Sequence, residues 1–249
     1  MCSSDLFVFS GNGLTLGGDI VNLSANAATF ALPLAVDVMR TINTSAGDLM
    51  FSNAISGEGG ITKRGTKAAT FAASNSYAGA TSVTEGRLNI TGGAALGATN
   101  QGTVVESGAV LGVGNGITVD EPVSLVNYNP GSLRFYSGAN TYRGLITITG
   151  SQARVKNDCG AMQVICGGIT SIASTVILDS GGDAGSVLRI DEKPIWAASL
   201  KAHVHGTQTT VFGVAGIQLG TLEVAGGTLL LEQPNIWSPT LRLEVGVSY

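Results

Sequence analysis

An internal repeat constrains this chain more than any other feature of its sequence. Residues 75–79 (NSYAG) match residues 140–144 (NTYRG) at an offset of 65 residues. The same offset aligns apolar positions, pairing Val83 with Ile148, Leu88 with Ala153 and Ile90 with Val155. A fixed offset that carries both turn residues and apolar positions is typical of repeat architectures. The repeat therefore predicts a β-solenoid, which displays or spaces something rather than catalysing a reaction.

Glycine-led cassettes indicate where the strands of this solenoid begin. A glycine followed by apolar residues at the second and fourth positions after it occurs at residues 47–51, 86–90, 131–135, 220–224 and 227–231. Glycine makes up 36 of the 249 residues, and it accepts the positive φ that tight corners need. Apolar residues two apart lie on one face of a strand. The cassettes predict short strands and corners that wind around one core in roughly ten turns of about 22 residues.

The composition excludes several classes of protein. Hydrophobic residues make up 44% of the chain and charged residues only 12%, so the composition is not that of a disordered protein. The formal net charge is −4 and no block of Lys or Arg occurs, which argues against a nucleic-acid partner. No run of 18 or more apolar residues occurs, so the sequence predicts no transmembrane helix.

The ends and the middle of the chain need separate treatment. Residues 1–6 resemble the translation of a sequencing-library adapter, and such a scar is excluded from fold reasoning. Residues 7–249 are predicted to form a single solenoid domain, a fragment of a longer protein without its caps. Residues 157–168 (NDCGAMQVICGG) break the strand pattern and are predicted to leave the stack as an irregular excursion.

Two cysteines lie in this irregular segment. Cys159 and Cys166 are seven residues apart, and two cysteines in a long chain do not make a disulfide framework. A small bridged loop is open if the protein is exported and the Cα atoms lie within about 7 Å. Two free, buried cysteines are the favoured alternative.

Side chains capable of metal binding or sugar stacking are few. His203 and His205 lie on one face of a predicted strand, but no third zinc ligand is evident nearby. Trp196 and Trp237 would stack on sugar rings if they were exposed, and a place in the core or over a turn is preferred. The sequence therefore predicts no metal and no cofactor.

A run of carboxylates is the remaining candidate for chemistry. Asp179, Asp183, Asp191 and Glu192 cluster in sequence, and paired carboxylates serve glycosidases or bind calcium. The spacing DSGGDAG lacks the G-G-x-G-x-D pattern of calcium-binding β-rolls. Solvated turn carboxylates are the preferred interpretation, and no catalytic residue is predicted.

The first copy of the repeat resembles a known family. Residues 55–65 (ISGEGGITKRG), 75–83 (NSYAGATSV) and 86–88 (GRL) look like the autotransporter-associated β-strand repeat. That repeat has the pattern G-x-G-G-hydrophobic-T-K-x-G, then a strand, then N-x-Y-x-G-x-T-x-V and a G-x-L corner. It is found in passenger domains of bacterial secreted and outer-membrane proteins.

The second copy departs from the family pattern. Residues 140–144 keep its Asn, Tyr and Gly, but a clear G-T-K segment is missing and Leu145 stands where the family favours small residues or Thr. The clearest copies are therefore residues 55–91 and residues 131–155.

The resemblance implies a right-handed, single-stranded parallel β-helix that is exported through the outer membrane. It further implies a secreted or cell-surface location, and a separate β-barrel translocator. That barrel is not expected in this chain, which has no run of ~10-residue strands with aromatic girdles; the segment itself is not expected to enter the membrane. Lys63 and Arg64 of the repeat are predicted to be solvated corner residues rather than ligands.

The repeated Asn and Tyr have structural explanations. Asn75 and Asn140 are predicted to satisfy backbone groups in a turn. Tyr77 and Tyr142, each just before a corner, are predicted to cover the end of a rung with a ring.

These observations favour a structural or adhesive passenger segment without catalytic activity, a stalk or display surface on a bacterial cell. Its expected partners are host or surface glycans, matrix proteins or further copies of itself. A β-helical enzyme that degrades polysaccharide stays open as an alternative; turnover that is lost when Asp191 or Asp183 is replaced would support it. A viral tailspike or fibre segment is a second alternative, and a trimer in solution would support it.

Overall fold

A computed structural model describes residues 7–127, 132–171, 175–234 and 240–243 of the chain, with side chains described outside 196–203 and 241–243. All regular structure in this part of the chain is β-strand, and every strand pairing is parallel. The strands stack as a β-solenoid of about ten turns, which confirms the predicted fold class. Among the described residues no helix is long and apolar enough to span a bilayer.

Each turn has three faces, named here in the order in which the first turn meets them. The first and third faces carry strands in successive turns, whereas the second face has no strand in two turns of the described chain, at residues 72–80 and 91–102. The first face consists of β1 (Phe7–Phe9), β4 (Ala28–Phe30), β7 (Leu49–Phe51), β10 (Ala68–Phe71), β12 (Arg87–Ile90), β14 (Val110–Val113), β17 (Leu133–Phe135), β20 (Gln152–Asn157), β23 (Thr175–Asp179), the second halves of β25 (Ile195–His205) and β27 (Gln218–Val224), and β29 (Leu241–Leu243). The second face consists of β2 (Leu14–Thr15), β5 (Leu34–Ala35) and β8 (Ile55–Ser56), and later of β15 (Thr118–Val119), β18 (Thr141–Tyr142), β21 (Met162–Ile165), β24 (Val187–Ile190), β26 (Thr209–Phe212) and β28 (Thr228–Leu231). The third face consists of β3 (Ile20–Val21), β6 (Arg40–Asn43), β9 (Ile61–Arg64), β11 (Thr81–Val83), β13 (Thr103–Val105), β16 (Val123–Leu125), β19 (Ile146–Ile148), β22 (Ile169–Ser171), and the first halves of β25 and β27.

The register explains the repeat offset of 65 residues. On the third face Val83 pairs with Val105, Val105 with Leu125, and Leu125 with Ile148. Val83 and Ile148 are therefore separated by three turns, as a turn of about 22 residues predicts. The strict alternation of buried and half-buried residues in these strands places their apolar side chains in one continuous core.

The offset changes at the corner that follows the third face. On the first face Leu88 aligns through Leu111 and Leu133 with Val155, two residues beyond the Ala153 that the constant offset predicted. Three residues connect β19 to β20, as three connect β11 to β12, but β20 begins with two extra residues, Gln152 and Ala153, which displace the second copy on this face by two residues. The prediction of one constant offset was wrong beyond the corner.

The predicted excursion at residues 157–168 is also wrong. Within it β21 pairs in parallel with β18 and β24, so the chain stays in the stack. Two of its polar residues, Asn157 and Gln163, turn inward, and Asn157 bonds both within its own turn and to the next. The side-chain amide of Asn157 donates to the Ala161 and Val187 carbonyls, while Gln163 is fully buried. The sequence pattern missed this strand because the search for alternation counts only apolar residues, and here some inward-facing side chains are amides.

A column of phenylalanines fills the core at the beginning of the first face. The rings of Phe9 and Phe30 stack with centroids 4.7 Å apart, and those of Phe30 and Phe51 are 5.1 Å apart. Phe71 meets Phe51 edge-on at 5.4 Å. The ring spacing follows the strand spacing of a parallel ladder, which is about 4.8 Å. Because phenylalanines occupy the same position on successive turns, their rings pack against one another along the core.

Candidate functional site

Lys63, in the G-T-K segment of the repeat, lies inside the stack. Its side chain is fully buried. The ammonium Nζ donates to the backbone carbonyls of Arg64 at 2.8 Å, Gly65 at 2.7 Å and Glu85 at 3.0 Å. Burial lowers the pKa of Lys63 to about 8, partly offset by the carboxylates of Glu85 and Asp48.

The prediction that Lys63 is solvated was therefore wrong, whereas Arg64 is exposed as predicted. Lys63 is one of the two residues of β9 whose side chains point into the core. Its ammonium donates all three of its protons to backbone carbonyls. Lys63 thus joins one corner to the next turn and is structural rather than a ligand.

The repeated asparagines hold successive turns together. Asn75 accepts a hydrogen bond from the Ile55 amide, one turn earlier, and donates to the Ala95 carbonyl, one turn later. Asn140 likewise accepts from the Ile117 amide and donates to the side chain of Gln163. Asn140 also donates to the Ser137 and Gly138 carbonyls at 2.9 and 3.0 Å, so it satisfies local backbone groups as predicted, whereas Asn75 bonds to backbone groups of the neighbouring turns instead.

The repeated tyrosines and one glutamate form a polar patch inside the core. Tyr77 and Tyr142 are fully buried. The Tyr77 hydroxyl lies 2.6 Å from Thr81 Oγ1, and the Tyr142 hydroxyl donates to the Glu121 carbonyl at 2.8 Å. The Glu121 side chain accepts a bond from Thr103 Oγ1 at 3.4 Å.

No described residue donates a hydrogen bond to the other carboxylate oxygen of Glu121, Oε2, which is buried. Burial raises the pKa of Glu121 to about 7, with the Thr103 bond acting in the opposite direction. This carboxyl is enclosed by the core and faces no surface groove, so its chemistry concerns stability rather than a substrate.

The acidic run does not come together as a site. Asp183 and Glu192 are exposed, and Asp191 is half-buried with its carboxylate 3.0 Å from Arg189 Nε. Asp179 is buried, contrary to the prediction of a solvated carboxylate. The loop that follows it folds back, and the Gly181 amide donates to Asp179 Oδ1 at 2.9 Å.

Basic residues flank the buried Asp179 and the neighbouring Asp158 on the outer side of the first face. Asp179 lies 3.6 Å from Arg154 and 3.7 Å from His205 Nδ1. Burial works against ionisation of Asp158, but hydrogen bonds from Arg134 and Lys156 hold its pKa below the usual range. Each carboxylate thus forms ion pairs with basic side chains of the chain itself, which is a structural arrangement.

The histidines and tryptophans give no metal or sugar site that can be described. His205 is half-buried beside Asp179, whereas the side chains of His203 and Trp196 and all of Trp237 lie outside the described residues. Within the described ranges, no three His, Cys, Asp or Glu side chains are placed to hold a metal ion.

Both candidate cysteines are free. Cys166 is buried as the favoured alternative predicted, but Cys159 is half-buried. Burial, and after it the Glu192 carboxylate, raises the pKa of Cys166 to about 11. Because the thiolate is the reactive form, this thiol is a poor nucleophile at neutral pH.

A surface groove of about 500 Å³ lies at the corner between the third and first faces, and we call it the corner groove. It is lined by Asp48, Thr66, Lys67, Ala68, Glu85, Gly86, Arg87, Gly108 and Val110. Sequence reasoning missed this groove. Its residues are individually ordinary corner residues, and they come together only because they occupy successive turns.

A small residue creates the depth of the groove. Ala68 is in register with Arg87 on one side, and its amide donates to the Asp48 carboxylate on the other at 2.8 Å. Asp48, Ala68 and Arg87 therefore occupy one column on three successive turns, with a single methyl group between the two charged side chains. Two strand spacings put the ends of this notch about 9.5 Å apart.

The charges of the corner groove are only partly compensated. Glu85 accepts a bond from the Gly65 amide at 3.1 Å, and Asp48 accepts the bond from Ala68. In the part of the chain that the structure describes, neither Lys67 nor Arg87 has an ion-pair partner. The groove thus offers two carboxylates and two uncommitted cations.

An aromatic ring lies near the Arg87 end of the groove. The half-buried ring of Tyr136 lies against the backbone of Gly112 and Gly114, where any Cβ would press on it. Burial raises the pKa of Tyr136, and the Arg87 guanidinium opposes that rise. Glycine at these two positions therefore lets an aromatic side chain lie flat on the first face.

Comparison with known proteins shows that two segments of the chain are similar to a known repeat family. The model of the passenger-associated-transport-repeat matches residues 61–90 and 129–150. The adhesin BmaC autotransporter of Brucella suis biovar 1 (strain 1330) is 24% identical over 294 aligned residues, which cover 95% of this chain. The chain spans only 9% of the length of that relative. No solved structure matches the chain.

The two matched segments contain the features that the structure explains. The first includes the buried lysine, the bridging asparagine and the buried tyrosine, and the second repeats the asparagine and tyrosine three turns later. The two segments are thus similar to the passenger-associated-transport-repeat, in keeping with the resemblance seen in the sequence.

Proposed function

We propose that this chain is a non-catalytic passenger segment of an autotransporter-like bacterial surface protein, which spaces and displays an adhesive surface outside the cell. The observation that carries the proposal is the parallel ladder of the first and third faces, in which each strand bonds to the corresponding strand of the next turn. About ten turns at roughly 4.8 Å each make a rod on the order of 50 Å long. Such a column extends a surface away from its anchor without needing a catalytic centre.

The comparisons support the surface role at a coarse level. The passenger repeat implies a protein that is secreted or exposed at the cell surface, and the relative that covers most of this chain is named as an adhesin. Adhesion by this chain itself, and its ligands, belong to the proposal. Glycans, matrix proteins and further copies of the chain are the partners that we propose.

Display of the chain on a bacterial cell tests the proposal. The chain is placed between a secretion signal and an outer-membrane translocator, and accessibility to antibody and added protease reports exposure. Binding to epithelial cells, to immobilised matrix proteins and to a glycan array reports adhesion. We expect surface exposure and binding to at least one of these materials.

An assay of polysaccharide degradation belongs beside the binding assays. Turnover that is lost on Asp48→Asn or Glu85→Gln, in the corner groove, or on Asp183→Asn or Asp191→Asn would overturn the non-catalytic assignment. Surface exposure without any binding would remove adhesion and leave the spacer role. A chain that is retained inside the cell would contradict both.

A further inference from the structure

We propose that the corner groove binds an acidic oligosaccharide, with a sugar carboxylate on Arg87 and sugar hydroxyls on Asp48 and Glu85. This inference rests on the proposed adhesive function and names the class of ligand. It starts from the groove, in which cations without ion-pair partners and carboxylates with one committed oxygen face a common volume of about 500 Å³.

The guanidinium selects the acidic group. Arg87 is half-buried, and no carboxylate among the described residues forms an ion pair with it. A planar guanidinium binds a carboxylate through two parallel hydrogen bonds. Ala68 leaves the space in front of it open, because the next side chain in the same column is only a methyl group.

The carboxylates select hydroxyl groups. Asp48 and Glu85 each use one oxygen to accept a backbone amide, at 2.8 Å and 3.1 Å. Their second oxygens accept hydrogen bonds but donate none, so they match ligand O–H groups. A sugar with one carboxylate and several hydroxyls meets both requirements.

The aromatic ring beyond Arg87 supports a carbohydrate over an acidic peptide. Tyr136 lies flat on Gly112 and Gly114, close enough to Arg87 for the guanidinium to oppose the rise in its pKa. A flat aromatic surface beside polar groups fits the apolar face of a pyranose ring. The groove and the ring both lie on the outer side of the first face, with the ring displaced along the strands from the column of Arg87.

Calorimetric titration of the whole chain with oligogalacturonate, and with the same oligosaccharide after reduction of its carboxyl groups, tests the proposal. We expect oligogalacturonate to bind and the reduced sugar to bind about tenfold more weakly or not at all, because it lacks the charge-assisted bonds. Arg87→Met should weaken the binding of oligogalacturonate by about tenfold or more. Ala68→Leu, which keeps every charge but fills the notch, should do the same.

Arg64→Met is the matched control, because Arg64 is an exposed arginine outside the groove. It should leave binding unchanged, and an unchanged circular dichroism spectrum and unfolding midpoint should show that all three variants are folded. Equal binding of the intact and reduced sugars, absence of binding by the unaltered chain, or unchanged binding by both groove variants would each overturn the proposal.

Adhesion of displaying cells separates this inference from the proposed function. If displayed Arg87→Met and Ala68→Leu chains adhere as strongly as the unaltered chain, the groove is not the adhesive site and the adhesive role stands. If the unaltered chain does not adhere while purified chain binds oligogalacturonate through Arg87, the adhesive role fails and the sugar site stands.

Discussion

At the scale of single residues, buried polar groups of this solenoid connect neighbouring turns. Lys63 binds three carbonyls on two turns, and Asn75 bridges the turn before it and the turn after it. Such groups cost free energy when they lose a partner in the interior. Their contribution is therefore best measured by removing the donors while keeping the volume.

Lys63→Met is predicted to destabilise the chain by about 2–4 kcal/mol, because it removes the donor of the Gly65 and Glu85 carbonyls in a buried site, whereas the Arg64 carbonyl keeps its bond from the Thr44 amide. The methionine fills the volume of the lysine stem, so the loss reflects hydrogen bonds rather than a cavity. Thermal unfolding followed by circular dichroism measures the change. Arg64→Met, at the exposed neighbour, should shift stability by no more than about 0.5 kcal/mol; an equal shift in both variants would contradict the role of Lys63.

Glu121→Gln is predicted to flatten the pH dependence of stability. The pKa of Glu121 is raised from 4.5 to about 7, so the folded chain holds this proton more tightly than the unfolded chain. The contribution of Glu121 to the free energy of unfolding is therefore fully present below pH 4.5. It is lost as pH rises to about 7, a difference on the order of 3 kcal/mol. Denaturant unfolding between pH 4 and pH 8 should show the decline in the unaltered chain and its loss in the variant, whereas parallel profiles would contradict the prediction.

At the scale of elements, the corners decide whether strands can stack. A Cβ on Gly144 would lie 1.9 Å from the Glu121 carbonyl oxygen, and one on Gly167 would lie 2.0 Å from the Gly144 carbonyl oxygen. These glycines let the backbones of consecutive corners approach to contact distance. The strands that follow, β19 and β22, then meet their partners in register.

Gly144→Ala is predicted to lower stability by about 2 kcal/mol or more, because the added methyl forces two backbones apart. Gly17→Ala is the control, since no atom lies within 4 Å of a Cβ at Gly17 and its φ is not in the left-handed region. The control should change stability by no more than about 0.5 kcal/mol. Unfolding midpoints of the two variants provide the test, and a Gly144→Ala midpoint equal to that of the control would show that the corners can separate freely.

At the scale of the whole molecule, the first described turn presents an apolar end. Its inward residues Phe7, Phe9 and Leu14 are 49%, 48% and 50% exposed, and no described strand pairs with the outer edges of β1 and β2. Unpaired strand edges with apolar side chains favour pairing with another chain.

The isolated chain is therefore predicted to self-associate through this end. Sedimentation velocity should show an average mass that rises with protein concentration, and Phe9→Glu should suppress the rise. Met50→Glu is the control, because Met50 is 41% exposed on the side of the solenoid rather than at its end. A strictly monomeric chain at all concentrations, or equal association of both variants, would contradict the prediction.

Much of the fold was predictable from the sequence because the signals are local. The turn length, the parallel stacking and the burial of Val83 follow from period-two alternation and from a repeat that returns every three turns, whereas the burial of Tyr77 and Asn75 was not predicted. Where inward residues are polar, as at Asn157 and Gln163, the same signal failed.

Only the tertiary structure decided the environment of the charged side chains. Nothing in the sequence near Lys63 indicates that its ammonium finds a carbonyl of Glu85 one turn away. The corner groove likewise exists because Asp48 and Arg87 lie on either side of Ala68 in one column, although they are 39 positions apart in the chain. The alternation of apolar residues and the turn preferences of glycine act within one turn, so the fold could be derived from the sequence. The burial, desolvation and pairing of charged side chains depend on contacts between turns, so the site could not.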